Sequence, residues 1–174
     1  ALAADQGALA ARAIMTTDPF PKEAAVRVSL GPAGEFSIGG MAKGSGMIEP
    51  KLATMLAFVT TDAAVPVPLL DRALREVVDE TFNAITVDGE PSTNDCVMLL
   101  ANGASGVQID EDTYGVFVDA LRAVSLALAL GIVRGGEGAT KLVTVTVTGA
   151  SSRAEARQAA KAIANSPLVK TAIH

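Results

Sequence analysis

Thr54 opens an apolar run that reaches Thr61, directly after Pro50-Lys51-Leu52-Ala53. A threonine hydroxyl becomes a useful nucleophile when a base takes its proton, and a chain cut just before Thr54 would supply that base as the residue's own α-amine. Most strand threonines serve β propensity instead, and no pattern in the sequence shows a cut. Glu137, in Gly135-Gly136-Glu137-Gly138, could aim a carboxylate into a cleft or stand as a solvated loop charge. Lys43 sits in Gly39-Gly40-Met41-Ala42-Lys43-Gly44-Ser45-Gly46, which invites a phosphate-loop reading. That reading fails, because the lysine precedes its glycine partner where G-x-x-x-x-G-K-[ST] needs it to follow. A dinucleotide fingerprint fails as well, since Glu49 stands where glycine is required. By pattern alone this stretch is a surface loop shaped by glycine.

Other reactive side chains offer less. Ser92-Thr93-Asn94-Asp95 has the composition of a segment that satisfies turn or cap backbone groups. Cys96 continues into Val97-Met98-Leu99-Leu100 and reads as inert packing. With one cysteine and one histidine, His174, neither a disulfide nor a Cys/His zinc site can be assembled, and no metal site is expected. Fourteen Lys and Arg are outnumbered by nineteen Asp and Glu in a chain of net charge −5, and aromatic residues are few, so nucleic acid is not an expected partner. The apolar run between Arg122 and Arg134 is short of the roughly 20 residues that span a bilayer, so no membrane segment is expected. A reducing cytoplasm fits the cysteine usage.

The elements that must position these groups can be read from periodicity. An alanine-rich helix covers Ala1 to Met15, and a hairpin pairs Ala24–Leu30 with Glu35–Ile38 across Gly31-Pro32-Ala33-Gly34. The irregular stretch Gly39 to Lys51 reads as a loop, and Thr54 to Thr61 as a strand covered on both faces. After Pro66 and Pro68, Leu69, Leu70, Leu74, Val77, Val78 and Phe82 form a helical stripe, followed by short strands at Ile85–Val87 and Cys96–Leu100. Asp110 to Leu130 reads as a long helix whose second half must be buried. Val143, Val145 and Val147 alternate with threonines, predicting a half-buried strand over Lys141 to Thr148, and Ser151 to Asn165 completes the chain as a helix capped by Ser151 or Ser152. Mixed strands and helices predict a layered α/β sandwich with mixed sheets.

Several ordered blocks change the weight of these residues. Ala13-Ile14-Met15-Thr16-Thr17-Asp18, then Gly39 through Ile48, Ala53-Thr54-Met55-Leu56, Thr81-Phe82-Asn83, Asp88-Gly89, Ser92-Thr93-Asn94-Asp95, Ala101-Asn102-Gly103, Glu137-Gly138-Ala139-Thr140-Lys141 and Leu168 through Ala172 run collinearly. Together they resemble the ornithine acetyltransferase family of arginine biosynthesis. The resemblance implies a four-layer α/β/β/α sandwich of the type shared with DmpA-like enzymes. It implies a precursor that cuts itself at Ala53-Thr54, residues 1–53 ending an α chain and 54–174 starting a β chain. Thr54 would then be the nucleophile, moving an acetyl group from N-acetylornithine to glutamate without a cofactor, with acetyl-CoA a further donor in bifunctional members. Thr16, or its neighbour Thr17, Lys43 and Glu137 correspond to substrate-binding positions, and the assembly implied is two α and two β chains in the cytoplasm.

The chain also departs from the pattern. Lys51-Leu52 stands where members often have asparagine-methionine. The chain lacks the upstream threonine-glycine oxyanion pair and the downstream Asp-Pro-Asn-Trp-Gly-Arg block, so by itself it is expected to be weakly active or inactive. Two alternatives stay open at this point: a related N-terminal-threonine amidase or aminopeptidase, and a non-catalytic fragment.

Overall fold

A computed structural model describes residues 3, 5–49, 55–90 and 93–173. Thr54, the Ala53-Thr54 bond, Ser92 and His174 lie outside them. Helix α1 (Gly7–Ala13) leads into strands β1 (Lys22–Ser29) and β2 (Glu35–Lys43), joined by a 3-10 turn at Gly31–Ala33. Strand β3 (Leu56–Thr61) is followed by helix α2 (Val67–Glu80), a second 3-10 turn at Phe82–Ala84, strand β4 (Cys96–Ala101) and the long helix α3 (Tyr114–Arg134). Helices α4 (Arg153–Ala164) and α5 (Pro167–Ile173) follow.

The strands form one mixed sheet in the order β1-β2-β3-β4. The first two pairings are antiparallel, Val26 facing Ile38 and Met41 facing Phe58, and β3 runs parallel to β4 with Val59 facing Leu99. The parallel pair needs a crossover, and α2 provides it. The hairpin is where its turn chemistry puts it, but β2 continues through Gly39 and Gly40 to Lys43, past the point where glycine suggested a loop. The reason is packing: a Cβ at Gly40 would lie 3.0 Å from Leu128 Cδ1 and 3.1 Å from the Phe58 carbonyl oxygen. Glycine therefore lets α3 lie close against the sheet.

Helix α3 carries the core. Phe117, Leu121, Val124, Leu128 and Ile132, at helical spacing, are buried with Phe36, Ile38, Ala57 and Val59 on one face of the sheet. By length and composition α3 could cross a membrane, against the expectation from its short uncharged run; here that apolar surface packs on β1 and β2. The helix starts four residues after Asp110, because Asp110 and Thr113 bond to each other's backbone amides ahead of its first turn. On α2, Ala73 and Val77 reach the core, with Leu70 and Val78 packed beside them.

The opposite face of the sheet carries Met41, Phe58 and Met98 in one row across β2, β3 and β4, with Met98 46% and Leu100 54% exposed. Strand β3 is thus covered on one face only, not on both. Residues Ile85–Val87 form no strand; the Val87 amide donates to the Ile48 carbonyl, the Thr86 hydroxyl to Asn165 Oδ1, and Lys161 and Lys170 to the Ile85 and Val87 carbonyls. The predicted strand at Lys141–Thr148 is also absent: the segment is mostly exposed and no sheet partner stands beside it among the described residues. Helix α4 begins as read, Ser152 Oγ accepting the Glu155 amide at 3.2 Å. Helix α5 was not read from the sequence.

Candidate active site

Three segments distant in sequence meet beyond the end of β2: the Thr16-Thr17-Asp18 turn before β1, the Gly44–Glu49 loop after β2, and the Gly135–Glu137 turn that ends α3. Thr17 Oγ1 donates to Glu137 Oε1 at 2.7 Å. The Glu137 amide donates to the Ser45 carbonyl at 2.8 Å, and Ser45 Oγ donates to the Gly135 carbonyl at 2.6 Å. Glu137 lies over Gly46, where a Cβ would come within 3.0 Å of the carboxyl carbon. Glycine at position 46 leaves room for the carboxylate, which a larger residue would displace by a few tenths of an ångström.

Aspartates fix the loop at both ends. Asp18 accepts the Gly44 amide at 2.8 Å, the Thr16 amide at 3.1 Å and the Lys22 ammonium. Burial pushes the Asp18 carboxyl up, but these donors outweigh burial and hold it below the usual carboxylate value. Asp88 accepts the Met47 amide at 2.6 Å and the Ile48 amide at 2.9 Å, which holds Met47 at its positive φ of 57°. A third aspartate, Asp95, accepts the amide of Met55, the residue that follows Thr54. The loop is therefore pre-organised, not a plain connection.

Lys43 is the last residue of β2 and pairs with Leu56, two residues after Thr54. It is half-buried, on the sheet face that bears Met41 and Phe58, and among the described residues it forms no ion pair. No hydrogen bond joins it to Thr17 or Glu137, so of the sequence-derived candidates the structure brings Thr17 and Glu137 into contact and places Lys43 on the neighbouring strand end. Thr16 enters through its backbone amide alone. Glu137 also borders a cavity of about 520 Å³ between the end of α3, helices α4 and α5 and the unpaired segment after Gly138. Among the described residues no group of three His, Cys, Asp or Glu is placed to hold a metal ion.

The sequence pattern of the ArgJ family matches residues 1–174. The chain is 56% identical over 176 residues to the arginine biosynthesis bifunctional protein ArgJ of Symbiobacterium thermophilum, covering 99% of this chain and 44% of that protein. To the protein of the same name from Wolinella succinogenes it is 55% identical over 168 residues, 97% of this chain and 41% of that one. The chain belongs to the ArgJ family. A crystal structure of the Bacillus halodurans arginine biosynthesis bifunctional protein ArgJ superposes with a TM-score of 0.66 at 48% identity, covering 69% of this chain and 58% of that chain. The chain thus spans less than half the length of these curated ArgJ relatives.

The family membership bears out the resemblance read from the ordered blocks. What that reading missed is the polar frame. Asp18, Asp88 and Asp95 stood in the quoted blocks without roles, and Asp95 caps a strand 40 residues away where the local composition suggested a local turn. Lys22 was the available signal: it falls in phase with Ala24, Val26 and Val28 on the inward face of β1, where the alternation calls for an apolar residue.

Proposed function

We propose that this chain is the central part of an acetyltransferase of arginine biosynthesis that moves an acetyl group from N-acetylornithine to glutamate. Thr54, freed by cleavage of Ala53-Thr54, attacks the acetyl carbonyl carbon through Oγ. The C–N bond to ornithine breaks, the amine leaves with a proton, and an acetyl ester remains on Thr54. The glutamate α-amine then attacks that ester, the C–O bond breaks, and the hydroxyl is regenerated, with the Thr54 α-amine taking and returning the proton. Two easier steps replace one difficult exchange and give ping-pong kinetics.

The convergence of Thr17, Gly46 and Glu137 near the start of β3, which follows Met55, carries this reading. Glu137 is suited to a substrate ammonium, with the Thr17 hydroxyl orienting it, and Lys43 to an amino-acid carboxylate. The relatives are named bifunctional proteins, which makes acetyl-CoA the second donor to test. We extend the proposal to architecture: the Met41-Phe58-Met98 row is the inner surface of a four-layer α/β/β/α sandwich whose second sheet also pairs with Lys141–Thr148, in a cytoplasmic assembly of two α and two β chains.

Expression of the complete protein that contains this chain, followed by intact mass under denaturing conditions, tests the cut. Products ending at Ala53 and beginning at Thr54 are expected, and Thr54→Ala should give one uncut mass and no acetylglutamate from acetylornithine. Turnover by that variant at the wild-type rate would sink the proposal, and release of acetate in place of acetylglutamate would move the reading to an amidase.

A further inference from the structure

We propose that the buried Asp18–Lys22 ion pair is a positioning device that holds the three segments of the candidate site in register. Both side chains are almost fully enclosed, 0% and 1% exposed, although Lys22 occupies a core position of a strand. A buried pair is weak evidence for stability, since apolar side chains of similar volume often serve a core as well or better. What an apolar pair could not do is make the contacts seen here. Asp18 Oδ1 accepts the Gly44 amide, next to Lys43, and Oδ2 accepts the amide of Thr16, next to Thr17.

Lys22 makes the third connection. Its stem packs along Gly131, and a Cβ at Gly135 would lie 3.1 Å from both Nζ and Cε, so the ammonium sits against the residue that caps α3. A cation there complements the negative end of the helix macrodipole and sets where Gly135 turns toward Glu137. The Phe20 ring, 5.1 Å from Nζ, closes the remaining side. One ion pair therefore touches the turn that presents Thr17, the loop that presents Gly46 and the turn that presents Glu137. Asp18 and Lys22 reach no substrate themselves; they act through Thr16, Gly44 and Gly135.

This inference rests on Thr17, Lys43 and Glu137 binding substrate, and its test is built so that the two can fail separately. In the complete, processed protein, Asp18→Asn with Lys22→Met removes both charges together, leaving neither buried alone. The double variant is expected to melt within a few degrees of wild type and to cleave normally. Its amide hydrogen exchange should accelerate at least about tenfold across residues 44–48 and 135–137 but not in β3. KM for the acetyl donor should rise on the order of ten- to hundredfold with kcat changed much less, as expected for substrate held out of place by roughly an ångström.

Unchanged exchange in these segments, or an unchanged KM, overturns the proposal and leaves the pair a core filler. If the double variant does not fold, Lys22→Arg keeps the charge but sets a larger planar head against Gly135, and wild-type KM in that variant overturns the proposal equally. If the wild-type protein transfers no acetyl group, the functional reading fails, and the exchange data alone decide whether the pair holds the three segments.

Discussion

Residues 16–49 and residues 139–173 solve the problem of holding extended and looped backbone in different ways. In the first region the sheet and helix α3 bury Phe36, Ile38 and Ala42, and the loops are tied by Asp18, Ser45 and Asp88 to backbone amides and carbonyls far away in sequence. In the second, neither α4 nor α5 has a fully buried residue, and residues 140–148 make no backbone hydrogen bond to any described residue. What attaches this region is polar: Lys161 bonds Glu49 and the Ile85 carbonyl, Lys170 bonds the Val87 carbonyl, and Arg157 bonds Asp79. The first region finds its packing partners in α3 and β3, whereas the second offers faces that require them. Alternation fixes which side chains of a strand share a face, but a strand is stabilised by the neighbours it pairs with.

The sharpest way to break this comparison is to remove a buried ring on which the first region packs. Phe117 in α3 is fully buried, with its ring centroid 6.0 Å from that of Phe36. Phe117→Ala should cost about 3–5 kcal/mol of unfolding free energy, as large truncations in close-packed cores do. Urea denaturation followed by circular dichroism measures it. A cost below about 1 kcal/mol would mean that α3 is not the element on which the sheet depends.

How far this division could be read from sequence depends on where each signal resides. The Gly31–Gly34 turn, the α2 stripe and the Ser152 cap are local, and each appears where its residues predict. Sequence alone ends β2 at Ile38, because Gly39-Gly40 mimics a loop, while the reason for glycine there is Leu128 on a helix 88 residues later in sequence. Val143, Val145 and Val147 have the right period for a strand and, among the described residues, no neighbour to pair with. The site follows the same logic. Thr17 and Glu137 are 120 residues apart, so no spacing rule joins them, and the family blocks brought them forward as separate candidates. Lys22 breaks the apolar alternation of β1 locally, and that conflict between local rule and position marks it, with its partner Asp18, as part of the frame around the candidate site.

The joint between the two regions gives a smaller, pH-dependent effect. Burial pushes the Glu49 carboxyl up, but the neighbouring Thr86 hydroxyl, the Lys161 ammonium and Asn165 together pull it below its ordinary value of 4.5. Between the lowered folded value and 4.5 the unfolded chain binds more protons, so stability rises with pH in that window. The contribution is complete above about 4.5 and is lost as pH falls through the folded value. Glu49→Gln should flatten this part of the acid limb in urea midpoints measured from pH 6 to pH 2. Identical acid limbs in wild type and variant would show that the Glu49–Lys161 contact does not couple α4 to the loop.

The smallest effect is expected at the far end of the second region. Leu168 is 83% exposed on α5, a helix with no buried residue, so it has little apolar contact to lose within this chain. Leu168→Ala should therefore change unfolding free energy by less than about 0.5 kcal/mol, the usual range for surface positions. In the complete protein the same substitution probes the proposed second sheet. If additional chain covers α5 there, the cost rises above about 1 kcal/mol, because burying a leucine fully is worth roughly 1.5–3 kcal/mol. An equal, negligible cost in both settings would place α5 on the outside of the assembled protein and confine the missing packing to the Met41-Phe58-Met98 face and the Val143-Val145-Val147 edge.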